Sequence, residues 1–136
     1  MRSDCVFFCP VTVRFNEVDR QGIVYNANYL VYTDFAFEEF LRSGGHSYRE
    51  LSEDMDSEVC HRKSTMEFFS SAFEGEQLEV GVRILHIGNR SFTVGFEIYR
   101  KEEDEIIVSA ETVFCGYDVK NRKSRPISGA MRALLS

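Results

Sequence analysis

The sequence has no tryptophan, only two prolines and no excess of basic charge. Sixteen Lys and Arg stand against 22 Asp and Glu, a formal net charge of −6, which excludes a general nucleic-acid binder, since those carry a basic excess. No window approaches the roughly 18 apolar residues of a membrane span, and no long apolar run follows Met1-Arg2-Ser3-Asp4, so no secretory signal is expected. The four cysteines (Cys5, Cys9, Cys60, Cys115) form no CxxC pair. Along an extended strand Cys5 and Cys9 would lie roughly 13 Å apart, too far for a disulfide. His46, His61 and His86 lack metal-ligand spacing. The expectation is a reduced, cytoplasmic protein without metal or cofactor. Repeats, low-complexity tracts and linkers are also missing.

What is present is one domain over residues 1–136, long enough for a substantial core. With 12 Phe and 6 Tyr, that core should be Phe-rich. Val6 to Phe15 reads as a strand, placed at an edge or bulged because Pro10 cannot donate to a ladder. A polar turn, Glu17-Val18-Asp19-Arg20-Gln21-Gly22, precedes a helix over Tyr29 to Arg42 that Gly44-Gly45 ends. Asn26 or Asn28 is the expected N-cap. Apolar residues occupy most of the helix circumference, so burial on nearly all sides is expected. His46 to Asp54 reads as a short helical turn or loop.

From Met55 the apolar period becomes two, the mark of half-buried strands. Phe92, Val94, Phe96 and Ile98 alternate with Ser91, Thr93, Gly95 and Glu97. Leu78 to Ile84 and Ile106 to Tyr117 behave similarly, and Val59 to Phe69 is the weakest segment. Short links at Glu74-Gly75, Gly88-Asn89 and Glu102-Glu103-Asp104 fit an antiparallel meander, and Ser128 to Leu134 adds a helical turn. The expected class is α+β: an antiparallel five-stranded sheet wrapped around one long apolar helix. One helix cannot cover both faces of such a sheet, so a second copy is expected to bury an edge or face, giving a dimer or homotetramer.

Arg14-Phe15-Asn16-Glu17-Val18-Asp19, followed by Gly22-Ile23-Val24-Tyr25-Asn26-Ala27-Asn28-Tyr29-Leu30, resembles the hotdog-fold thioesterases of the 4-hydroxybenzoyl-CoA thioesterase type. About a dozen motif positions match in order, and the later strands agree with the same fold. The resemblance implies that Asp19 is the catalytic nucleophile or general base toward a thioester carbonyl, and that the backbone N–H of Asn26 is the polarising donor. A carboxylate and one well-placed donor suffice for so reactive an acyl group. The rival account of Asp19 is a turn residue bonding its own backbone; for Asn26 it is simple capping. Many relatives carry His at the place of Asn26, and an amide cannot shuttle a proton as imidazole does.

The resemblance places Gly22, Val24 and Tyr25 at the substrate, and Arg90, Ser91, Lys123 and Arg125 at the nucleotide and its phosphates. Arg90 sits in Gly88-Asn89-Arg90-Ser91, and Lys123 and Arg125 in the basic run Lys120 to Arg125. The rival account there is a solvated loop. Thr65, Met66, Phe68 and Phe69 sit on the strand that lines the acyl end in similar enzymes; core packing explains them equally well. Asp34 and Glu38 are fallback acids on the helix. Phe35 and Phe37 replace the arginines that commonly flank the Ala36 position. The expected activity is hydrolysis of an acyl-CoA thioester at a site between subunits. The alternatives are an acyl-carrier-protein thioesterase and a non-catalytic acyl-thioester binding module. A dehydratase is disfavoured because no His–acid pair is evident near the helix.

Overall fold

Period-two strands leave alternate side chains on one face, and in the computed structural model, which describes residues 1–136, these faces close around one helix. The elements run β1 (Phe7–Thr12), α1 (Ala27–Ser43), α2 (Tyr48–Glu53), β2 (Val59–Phe68), β3 (Gln77–Ile87), β4 (Ser91–Arg100), β5 (Ile106–Asp118), β6 (Lys123–Arg125) and α3 (Gly129–Leu135). A 3-10 turn, Phe15–Glu17, links β1 to the polar turn, so the first strand ends earlier than the apolar pattern implied. The antiparallel sheet has the order β1-β3-β4-β5-β2, with β6 added on β5. It therefore has six strands rather than five. No helix is long and apolar enough to cross a membrane.

β3, β4 and β5 form the expected meander. β2 does not join it through β3. It pairs with β5, from Val59↔Gly116 to Phe68↔Val108, and β1 takes the edge of β3. Residues 69–76 cross the sheet end instead of forming a hairpin, and Phe73 bridges Ile23 on the way. β2 is left as a free edge, with His61–Thr65 exposed.

The core sits between α1 and the sheet. Phe37 stacks on Phe114 with ring centroids 4.6 Å apart and packs against Phe92 at 5.9 Å. Burying one such aromatic is worth about 1.5–3 kcal/mol. α1 is not buried all round. Tyr29, Tyr32, Thr33, Ala36, Phe37 and Leu41 face inward, whereas Val31 and Phe35 are exposed. The neighbouring phenylalanines Phe35 and Phe37 thus have opposite fates, because residues two apart on a helix point to different sides. β4 departs in the other direction: Glu97 and Tyr99 on its outer face are also buried. The N-terminal segment covers them, with the Arg2 guanidinium 4.4 Å from the Tyr99 ring centroid. Burial opposes ionisation of Glu97, but hydrogen bonds from Tyr99 and Arg83 outweigh it and hold the carboxyl below its ordinary range.

Candidate active site

The polar turn is fixed by its own backbone. Val18 bridges Val24, the Asp19 N–H donates to Ile23 C=O at 2.9 Å, and the Gly22 N–H donates to Asp19 C=O at 2.9 Å. Gly22 has φ +79°, open to glycine at no steric cost. The Asp19 carboxylate accepts from the Gln21 N–H through Oδ1 at 2.8 Å, the local turn bond expected of Asp, while its other oxygen has no partner in the chain. Asp19 is half-buried at the surface.

The turn is tied to the start of α1 through Glu17. The Glu17 carbonyl accepts from the Tyr25 N–H at 3.0 Å and from Asn28 Nδ2 at 2.9 Å. Asn26 holds the N-cap position, yet its side chain caps nothing and its backbone is already helical at φ −53°, ψ −35°. The expected Asn cap is therefore replaced by Asn28 bonding Glu17. The N–H groups of Asn26 and Ala27 make no hydrogen bond within the chain. These are unengaged donors at the positive end of a 17-residue helix.

The Glu17 side chain is a feature that residue patterns did not single out. It is 6% exposed, accepts from the Arg14 N–H at 2.8 Å and from Tyr32 Oη at 3.0 Å, and pairs with Arg14 Nη2 at 2.7 Å. Burial works against its charge, but these bonds prevail and lower its pKa. Glu17 and Tyr32 line a cleft of about 390 Å³ with Pro10, Val11, Val31 and Phe35; Asp19 does not line it. The identity of Tyr32 on the inner face of α1 was the available signal, since a buried hydroxyl needs a partner.

Of the residues assigned to substrate, Tyr25 is exposed beside the α1 start, and Val24 is 3% exposed in the core. Val24 therefore supports the turn from beneath; its N–H is spent on Ala72 C=O at 2.9 Å. Phe15, Phe68, Phe69 and Phe73 are exposed, and the Phe68 ring lies 5.7 Å from that of Tyr29 in the first turn of α1. Thr65 is exposed and Met66 packs on the core.

The basic residues lie elsewhere. Arg90 donates to Ser124 C=O at 2.8 Å, which joins the β3–β4 turn to β6. Arg125 is half-buried and paired with Asp56, Nη2 to Oδ1 at 2.9 Å; Lys123 is exposed on β6, and Ser91 opposite Cys115 is half-buried. This group adjoins Gly116, the partner of Val59 at the start of β2, whereas the segment that holds Asp19 and Asn26 meets Phe73 through Ile23 and Phe68 through Tyr29, at the other end of β2. At about 3.3 Å per residue the two ends of β2 are roughly 30 Å apart. One chain does not bring the two groups together.

Contrary to the expectation from sequence, a His–acid pair is present beside the helix: His61 Nε2 on β2 lies 2.9 Å from Asp34 Oδ1 on α1. It borders a cleft of about 320 Å³ with Phe37, Glu38, Tyr48 and Phe114. Asp34 thus has both a partner and access to water, while Glu38 is exposed.

Residues 13–135 match the model of the thioesterase-like superfamily. A protein of Aquifex aeolicus described as a putative esterase is 34% identical over 111 residues, 82% of this chain and 83% of its own. The acyl-CoA thioester hydrolase YbgC of Escherichia coli is 27% identical over 90% of each chain. The 1,4-dihydroxy-2-naphthoyl-CoA thioesterase Slr0204 from Synechocystis superposes with a TM-score of 0.86 at 22% identity, covering 95% of this chain and 94% of that one. The chain belongs to the thioesterase-like superfamily and is a hotdog-fold thioester hydrolase.

Proposed function

We propose that the protein hydrolyses acyl-CoA thioesters to a free carboxylic acid and CoA, with Asp19 and the Asn26 N–H as the reacting pair. One observation carries the reading: unengaged N–H groups open α1 directly after a turn that holds a carboxylate with one free oxygen. The thioester oxygen would accept from the Asn26 N–H, so that charge developing in the tetrahedral intermediate meets a fixed donor at a helix N-terminus. Asp19 then works in one of two ways. It attacks the carbonyl carbon, expelling CoA thiolate and leaving a mixed anhydride for water to open; or it takes a proton from the water that attacks. Both routes end in the same products.

The acyl group would lie against Tyr25, Phe68, Phe69 and Phe73, with Gly22 allowing close backbone approach. The nucleotide would rest on Arg90, Ser91, Lys123 and Arg125. Since these lie at the far end of β2 from Asp19, the site needs a second copy pairing antiparallel along the free edge of β2. Such pairing sets the start of one β2 beside the end of the other. The similarity to the acyl-CoA thioester hydrolase YbgC supports a CoA ester over a carrier-protein ester. The test is CoA release from short, medium, long and aromatic acyl-CoAs. Turnover of at least one class is expected; release from matched carrier-protein thioesters alone would contradict the reading.

A further inference from the structure

Cys60 and Cys115 are 55 residues apart in sequence but directly opposed across β2 and β5, with their sulfurs 3.2 Å apart. Both thiols are free. Directly opposed residues of an antiparallel pair have Cα atoms roughly 4.5–5.5 Å apart, inside the range that a disulfide spans. The adjacent Phe114 stacks on Phe37 of α1, so strand alternation turns Cys115, and with it Cys60, to the face of the sheet away from the helix. Both are half-buried there rather than sealed in the core. Cys60 also belongs to the edge strand, which is held to the sheet on one side only and is broken in register between His61 and Lys63.

We propose that Cys60 and Cys115 form a thiol–disulfide exchange site that takes a small-molecule disulfide such as oxidised glutathione and closes a covalent link between β2 and β5. The Cys60 thiolate attacks one sulfur of the oxidant, forming a mixed disulfide and releasing one thiolate. The Cys115 thiolate then attacks the Cys60 sulfur, closing the intrachain bond and releasing the second thiolate. Two cysteine protons go to solvent and recombine with the two released thiolates, while the oxidant accepts the two electrons. Burial, and then the hydrogen bond that the Cys60 thiol shares with Cys115, lifts the Cys60 thiol to about 11. Thiolate is therefore scarce at neutral pH, and exchange should accelerate steadily as pH rises. The link pins the free edge at its start, next to the register break.

The experiment treats the full-length protein with oxidised glutathione at several pH values and follows intact mass and peptide maps. The expected product is lighter by two hydrogens, with peptides holding Cys60 and Cys115 joined, formed faster at higher pH and reversed by excess dithiol. The Cys115→Ser protein should instead keep one glutathione on Cys60, because nothing resolves it; Cys115→Ala serves if the serine variant folds poorly. A persistent glutathione adduct on native Cys60 without the cross-link, or oxidation confined to Cys5 and Cys9, would overturn the proposal. Neither result depends on hydrolytic activity.

Discussion

The Tyr32 hydroxyl donates to Glu17 Oε1 at 3.0 Å, joining the inner face of the central helix to the residue whose carbonyl holds Tyr25 and Asn28. Glu17 thus binds α1 at two heights, through its carboxylate at Tyr32 and through its backbone at the first turn. Anything that loosens it shifts Asp19 relative to the free N–H of Asn26.

Replacing Glu17 by Ala leaves a buried tyrosine hydroxyl without its acceptor. A stability loss of about 1–3 kcal/mol is expected, read as a lower urea midpoint, together with a fall in kcat larger than any change in KM. Tyr32→Phe removes only the donor and should cost about 0.5–1.5 kcal/mol.

Acid sensitivity follows from the same carboxylate and from Glu97. Both are held below the ordinary value of 4.5 by partners that outweigh burial. A depressed folded pKa stabilises fully above the unfolded value, and the benefit is lost as pH falls through the folded one. Stability should therefore be flat from neutrality down to about 4.5 and fall below it, and Glu17→Gln should make that fall shallower. Urea midpoints measured at successive pH values check both.

Phe35 and Phe37 separate association from folding. Phe37→Ala opens a hole beneath Phe92 and Phe114 and should cost about 3–5 kcal/mol. Phe35→Ala, at an exposed position, should stay within about 0.5 kcal/mol in chemical denaturation. Equal losses from both would contradict the one-sided burial of α1.

The polarising donor can be tested at a single atom. Asn26 has φ −53°, which proline adopts without strain at a helix start. Asn26→Pro removes the N–H and should lower kcat about 10²–10³-fold, whereas Asn26→Ala keeps the N–H and should stay within a few-fold. Equal losses would show that the amide side chain does the work.

The fold was legible wherever one physical rule acted alone. Alternation marked β3, β4 and β5, and Gly44-Gly45 marked the end of α1, because side-chain facing and backbone freedom are local properties. The pairing of β2 with β5 was not legible, since strand order depends on which edge a crossing segment reaches. Asp19 stood out through its motif, but the pairs Glu17–Tyr32, Asp34–His61 and Cys60–Cys115 join residues 15, 27 and 55 positions apart. Only the folded chain brings those together. Burial was likewise not legible for Val24, a motif residue that packs in the core.

The most direct measurement is the turnover of Asp19→Asn against the native protein on an accepted acyl-CoA. The substitution keeps the Oδ1 acceptor for Gln21 and removes the negative charge, so the fold should be unchanged by circular dichroism. A loss of at least ~100-fold in kcat is predicted, the usual weight of a positioned acid–base group. Retention of near-native turnover on every accepted thioester would contradict the assignment of Asp19.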